Sequence, residues 1–247
     1  MANELDELTG PINDAGQDVH VINKQIQVKV GFGSLLFEIA LWTVFFIPGM
    51  IALSLGILPL LQAIVLFAAG ILPGLIFLFM KINALATLRK LQQRVQTDAS
   101  QIDNYLEQRV MILNNVVGLL SKAVDLDTKV MESVSAYRSG VSPASDRERN
   151  IASSNLENAF AQVRLTVESY PDLKAHAVIA DAMRQNSYLQ QEITAARSLY
   201  NDAVLLWNSS IFEWPTKQIV AARAGYTTRI PFIASAETKA AARGTFF

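Results

Sequence analysis

The sequence predicts an all-α protein: an antiparallel bundle of three long helices plus a short fourth, attached to an N-terminal transmembrane helical hairpin. Three observations carry that expectation. Residues 31–80 hold only two strongly polar side chains, Glu38 and Gln62, and no Lys, Arg or Asp. Beyond Met80 the apolar residues recur at alternating spacings of three and four, the period of one helix face. Between those stripes lie the Pro- and Gly-containing segments that end helices. The chain divides into an acidic leader with an amphipathic segment at 1–30, an apolar region at 31–80, a helical bundle at 81–233 and a tail at 234–247.

The leader carries five acids against Lys24 and Lys29, so it is not the cationic start of a signal peptide. Its last part, Val19 to Val30, alternates like a strand near its end. Val19, Ile22, Ile26 and Val30 nevertheless share one helical face, and a helix is the favoured reading. Such a stretch either lies in the membrane interface or extends the first apolar helix.

Two stretches of spanning length follow, Phe32–Leu55 and Ile57–Met80, joined by Ser54–Pro59. A span needs about 20 apolar residues, so fifty residues suit a hairpin, with one span plus a re-entrant piece as the competing arrangement. Lys81, Arg89, Lys90 and Arg94 follow the apolar run while the turn is uncharged, which puts the helical domain on the cytoplasmic side. Glu38 is an acid inside the first stretch, and an acid within a span is a functional candidate by default. The plainer reading places it near the headgroups or neutralises it; Gln62 is its one polar companion.

In the bundle, the seam Val95, Ala99, Ile102, Leu106, Arg109, Leu113, Val116, Leu120, Ala123, Asp127, Val130 and Val134 predicts one helix from Lys81 to about Tyr137. Ser139–Pro143 ends it, and Ser145 with Glu148 is a capping-box pattern opening the next. That second helix shows Leu156, Phe160, Val163 and Val167 on one stripe and ends at Tyr170-Pro171. A third runs from Pro171 to about Glu213, with Ile179, Leu189, Ile193, Ala196, Tyr200, Ala203 and Trp207 in its seam. Trp214-Pro215 breaks it. A short amphipathic helix at 216–224 is closed by Gly225, and the remainder to Phe247 reads as an extended tail.

Charge and composition exclude several functions. The chain has no cysteine, and its net charge of −1 gives no basic signature for nucleic acid. Its only histidines are His20 and His176, far apart in sequence, and zinc sites or Ser-His-Asp arrangements need convergent imidazoles. No phosphate-binding glycine loop is present. Neither a catalytic group nor a cofactor is expected. Arg109 and Asp127 occupy seam positions, and buried charges need partners. Asp202 and Glu192 on the third helix are the candidate carboxylates for Arg109.

The run Tyr170-Pro171-Asp172-Leu173-Lys174-Ala175, followed by Ala196-Arg197-Ser198-Leu199-Tyr200-Asn201-Asp202-Ala203-Val204, resembles the LemA family. Gln101-Ile102-Asp103 before Arg109, Trp207-Asn208, Trp214-Pro215, Gly225-Tyr226 and Pro231-Phe232 support the likeness, which covers residues 85–235. The resemblance implies a membrane-anchored, coiled-coil-like bundle facing the cytoplasm and carries no activity over. This chain departs from the family in its acidic leader, its doubled apolar run, and Gln108-Arg109 with Ile112–Asn115, where the family has an arginine pair and a proline. The bundle motif is then Arg109, Asp127, Tyr170, Pro171, Asp172, Lys174, Arg197, Tyr200, Asn201, Asp202, Trp207 and Pro215. Its residues serve either as packing and hydrogen-bonding groups or as a docking surface.

The function these features point to is a non-enzymatic scaffold of the bacterial cytoplasmic membrane. Its expected partners are the lipid bilayer, further copies of the chain and another membrane protein. A small transporter or channel subunit using Glu38 and Gln62 is one alternative, and a membrane-remodelling protein another. Arg109→Leu is expected to leave the fold intact, and circular dichroism of the variant in detergent checks this.

Overall fold

In the computed structural model, which describes residues 25–123, 145–170 and 177–232, five helices and no strand are present among those residues. They are α1 (Phe32–Leu55), α2 (Leu60–Ala123), α3 (Asp146–Ser169), α4 (Ala177–Ser210) and α5 (Thr216–Arg223). The fold is all-α, as the periodicities require. The leader, Asp127, the end of the first bundle helix with its Ser139–Pro143 stop, Pro171 to His176, and the tail lie outside the described residues. The described chain forms two compact units, one of residues 25–94 and 205–229, the other of residues 95–204 and 230–232. The expected boundary at residues 80 and 81 falls inside α2, because the second apolar stretch and the first bundle helix are one uninterrupted helix of 64 residues.

In the first unit, α1 ends where Leu55 is followed by Gly56 at φ +64, a left-handed position that glycine adopts without steric cost. Pro59 then precedes α2, a residue that cannot extend the preceding helix. The expected turn at Ser54–Pro59 is therefore present, with α2 starting at Leu60 rather than Ile57. Each apolar helix is long enough to cross a bilayer. The two pack antiparallel at very short range. A Cβ placed on Gly49 would lie 2.5 Å from the Phe67 Cα, and one on Gly70 would lie 2.1 Å from the Phe45 carbonyl oxygen. At Gly74 the intruding group is the Trp42 indole, 2.6 Å away. Gly70 and Gly74 are spaced as in helix-pairing motifs of membrane proteins, a signal the apolar composition masks. The Thr43 and Ser54 hydroxyls donate to the carbonyls of Ile39 and Ile51, so neither faces the apolar surroundings unsatisfied.

Residues 25–30 correct the favoured reading: they are extended, with an isolated antiparallel bridge between Gln27 and Thr227. Val28 N–H donates to Tyr226 O at 3.1 Å, and Thr228 N–H donates to Ile26 O at 2.9 Å. The alternation of this stretch was the operative signal, since it buries Val28 and turns Gln27 and Lys29 outward.

The second unit is built on the predicted seams. Val95, Ala99, Ile102, Leu106, Arg109, Leu113, Val116 and Leu120 are all buried on α2, and Leu156, Phe160, Val163 and Val167 are buried on α3. Ser145 caps α3 through a complete capping box: its Oγ accepts from Glu148 N–H while Glu148 Oε2 accepts from Ser145 N–H, each at 3.2 Å. α4 stops at Ser210, three residues before the expected end. There Phe212 and Glu213 N–H turn to carbonyls three residues back, tightening the chain into Pro215.

Gly70→Ala is expected to destabilise the hairpin by about 1–3 kcal/mol, because the methyl meets backbone rather than a side chain that can move aside. Gly118→Ala, with open space at its Cβ, is expected to add about 0.5–1 kcal/mol. Thermal unfolding of the two variants in detergent distinguishes these opposite signs.

Candidate functional site: the charge centres of the bundle and the base of the hairpin

Two arginines are buried in the unit of residues 95–204 and 230–232. Arg109 is 2% exposed. Its Nε donates to Asn186 Oδ1 at 2.8 Å, and one terminal nitrogen donates to Glu157 Oε1 at 3.3 Å and to Gln190 Oε1. Gln190 in turn donates to Glu157, and the guanidinium lies 5.2 Å from the Phe160 ring centre. The carboxylate partner is therefore Glu157 of α3, which corrects the assignment to Asp202 or Glu192. Asp202 is exposed on α4, and Glu192 accepts from the Tyr105 hydroxyl at 3.4 Å. Asn186 and Gln190 stand one helical turn apart on α4 and flank the arginine, so no α4 carboxylate reaches it. Desolvation lowers the Arg109 pKa and outweighs the charge and hydrogen bond of Glu157. Glu157 keeps some contact with water, so removing the arginine leaves it hydrated rather than stranded.

Arg149 of α3 is the residue that the seam patterns miss. Its Nε and Nη2 bind the two oxygens of Asp103 at 2.6 and 3.0 Å, and Nη1 donates to Asp146 at 3.3 Å. Burial pulls its pKa down, but the hydrogen bond and charge of Asp103, then the charges of Tyr200 and Asp146, raise it on balance. Asp146 also accepts from Ile230 N–H at 3.3 Å. Asp103 lies in the Gln101–Asp103 run, six residues before Arg109, and that spacing was the available signal.

The extended residues after α5 are held by side chains as well as by the backbone pairing with residues 26–28. Tyr200 donates its hydroxyl to Ile230 O at 3.1 Å, and Asn150 Nδ2 donates to Pro231 O at 3.1 Å. Asn201 both donates to Phe232 O at 3.0 Å and accepts from Phe232 N–H at 2.7 Å. In the other unit, Asn208 makes the same paired contact with Arg229, and Trp207 Nε1 donates to Thr227 O at 2.8 Å. Residues 226–232 are thus part of the packed structure rather than the start of a tail. Arg197 is half-buried, Tyr170 caps the end of α3, and Pro215 opens α5. Pro171, Asp172, Lys174 and Asp127 lie outside the described residues.

At the base of the hairpin, Glu38 Oε2 accepts from Arg223 Nη2 at 2.6 Å and from Lys81 Nζ at 3.3 Å. Phe37 stacks between Phe77 and Trp214, with ring centres 5.6 and 5.1 Å away. Glu38 and Gln62 do not converge. Gln62 is 19 residues before Lys81 on α2, about 28 Å along the helix axis, and it borders a shallow apolar depression with Leu58, Leu61 and Val65. Among the described residues, no three His, Cys, Asp or Glu side chains come together as a metal site.

An all-α fold with buried arginine centres, preceded in the chain by two apolar helices of spanning length, defines a helical-bundle protein whose apolar helices point to membrane association. The chain matches the LemA family over residues 98–246, and it belongs to that family. The match begins after the hairpin. Among curated proteins none matches the chain.

Arg149→Met is expected to cost about 3–5 kcal/mol, because Asp103 and Asp146 then lose a buried partner. A double-mutant cycle with Asp103→Asn, read by denaturant unfolding, is expected to give a coupling of about 1–3 kcal/mol.

Proposed function

We propose that this chain is a membrane-anchored scaffold, with α1 and the first part of α2 inserted as a hairpin and the bundle on the cytoplasmic side of the bacterial membrane. The observation that carries this reading is where the hairpin's apolar side chains point. Few residues of α1 or of the apolar part of α2 are buried, which supports contact with lipid rather than with a protein core. Phe32, Leu55, Leu61 and Phe79 are each at least 70% exposed, a surface suited to lipid. Lys81, Arg89, Lys90 and Arg94 beyond the hairpin support a cytoplasmic bundle.

In this reading the protein acts through association, with itself or with another membrane protein, rather than through catalysis. Its buried charges are engaged with each other, which suits a structural role. The transport alternative asks Glu38 and Gln62 to work together, but Glu38 binds Lys81, which lies about 28 Å along α2 from Gln62.

Because the chain lacks cysteine, single cysteines report topology cleanly. Ile57→Cys is expected to react with an impermeant maleimide in intact cells, and Ser187→Cys only after lysis. The reverse pattern would refute the orientation. Chemical crosslinking in native membranes is expected to give oligomers or a heterologous partner, and monomer alone would remove the scaffold reading.

A further inference from the structure

The charges of the hairpin unit are placed unevenly. Residues 25–94 and 205–229 carry eight Lys and Arg against Glu38 and Glu213, a net of +6. The described residues of the other unit carry ten acids against seven bases, a net of −3. None of the eight cations lies between residues 30 and 80. Among the described residues, Glu38 is the acid that Lys81 and Arg223 bind, and both donate to the same oxygen, Oε2. Two cations on one carboxylate leave a local surplus of positive charge. Arg223 is turned largely to the outside, with 58% of its side chain exposed, and a guanidinium offers five N–H donors.

The depth of this cluster is set by helix length. From Glu38 to Leu55 α1 rises about 26 Å, and from Leu60 to Lys81 α2 rises about 32 Å, close to the hydrocarbon thickness of a bilayer. With the turn at the far surface, the Glu38–Lys81–Arg223 cluster therefore falls at the near headgroup plane. Trp214, 55% exposed and stacked on Phe37, occupies the level where tryptophans line membrane interfaces.

We propose that the base of the hairpin is a binding site for the phosphate headgroup of an anionic phospholipid. Arg223 and Lys81 supply the donors and Trp214 lies at the boundary between headgroup and acyl chain. The site rests on the membrane insertion proposed above, because only insertion brings headgroups to this level. Arg223 is suited to phosphate through its planar fork, and Lys81 through its point charge. Glu38 holds both cations in place while leaving their charge only partly neutralised. Basic clusters just outside a span are attracted to anionic lipids generally, and here the paired Arg223 and Lys81 give that attraction a defined position.

The test uses the full chain in phosphatidylcholine bilayers containing a small fraction of either brominated phosphatidylglycerol or brominated phosphatidylcholine, read by tryptophan fluorescence. Trp42 reports insertion under either lipid, Trp207 is buried, and Trp214 reports the headgroup site. Quenching by the brominated anionic lipid is expected to exceed that by the zwitterionic one by about twofold or more. Arg223→Gln and Lys81→Gln should each remove the excess, Arg223→Lys should retain part of it, and Arg184→Gln, an exposed bundle arginine, should leave it unchanged. Equal quenching by both lipids would overturn the site while leaving insertion standing. Absence of quenching by either would overturn insertion itself. Loss of the excess on adding inorganic phosphate would show a free-phosphate site in place of a lipid site and also overturn the proposal.

Discussion

Glu38 is the only acidic or basic side chain among residues 31–80, and the cations it binds gather three helices at the base of the hairpin. A lone carboxylate in hydrocarbon costs several kcal/mol, so it demands cations at its own level. Lys81 arrives because α2 continues past the apolar stretch without a break, and Arg223 arrives because α5 follows the Trp214–Pro215 corner. Phe37, one residue earlier, meets Phe77 and Trp214. One acid thus gathers α1, α2 and α5 at a single level, while the remaining length of the hairpin stays free of charge. Small residues do the rest: with glycine at 49, 70 and 74 the backbones approach closely enough for dispersion to hold the pair.

The two buried arginines of the bundle show how partner geometry decides the fate of a buried charge. Arg109 faces one carboxylate at 3.3 Å and two neutral amides, and desolvation prevails. Arg149 holds both oxygens of Asp103 and one of Asp146, and its charged form is favoured in spite of burial. Bidentate geometry accounts for the difference, since parallel N–H donors match both carboxylate oxygens at once. Arg149 accordingly ties α2, α3 and the extended residues together, through Asp103 and through Asp146, which also accepts from Ile230 N–H.

How much of this was legible in the sequence follows from which interactions are local. The α2 and α3 seams, the Ser145–Glu148 capping box and the Gly56 turn depend on residues within a few positions of one another, and each stands where the pattern put it. The contacts that escaped are non-local. Asn201 and Asn208 satisfy both backbone groups of Phe232 and Arg229, and Gln27 lies opposite Thr227, 200 residues away. No periodicity encodes an extended segment whose partners are distant side chains and a distant stretch of backbone. Glu157 was passed over for the same reason: the seam named Arg109 as a buried charge but not which neighbouring helix would answer it. The motif residues Tyr200, Asn201 and Trp207 were visible as a family likeness, yet their work of holding residues 227–232 needed coordinates.

The use of the glycines inside the hairpin constrains any association between chains. Gly70 and Gly74 have the spacing by which membrane helices pair across subunits, but their surface is already covered by Phe45 and Trp42 of the same chain. A second copy cannot use it without opening the hairpin. The self-association proposed above must therefore draw on other surfaces. On α4, Tyr188 and Leu199 are exposed large side chains on the solvent side of the seam. Eleven residues apart, they fall on one face of the helix.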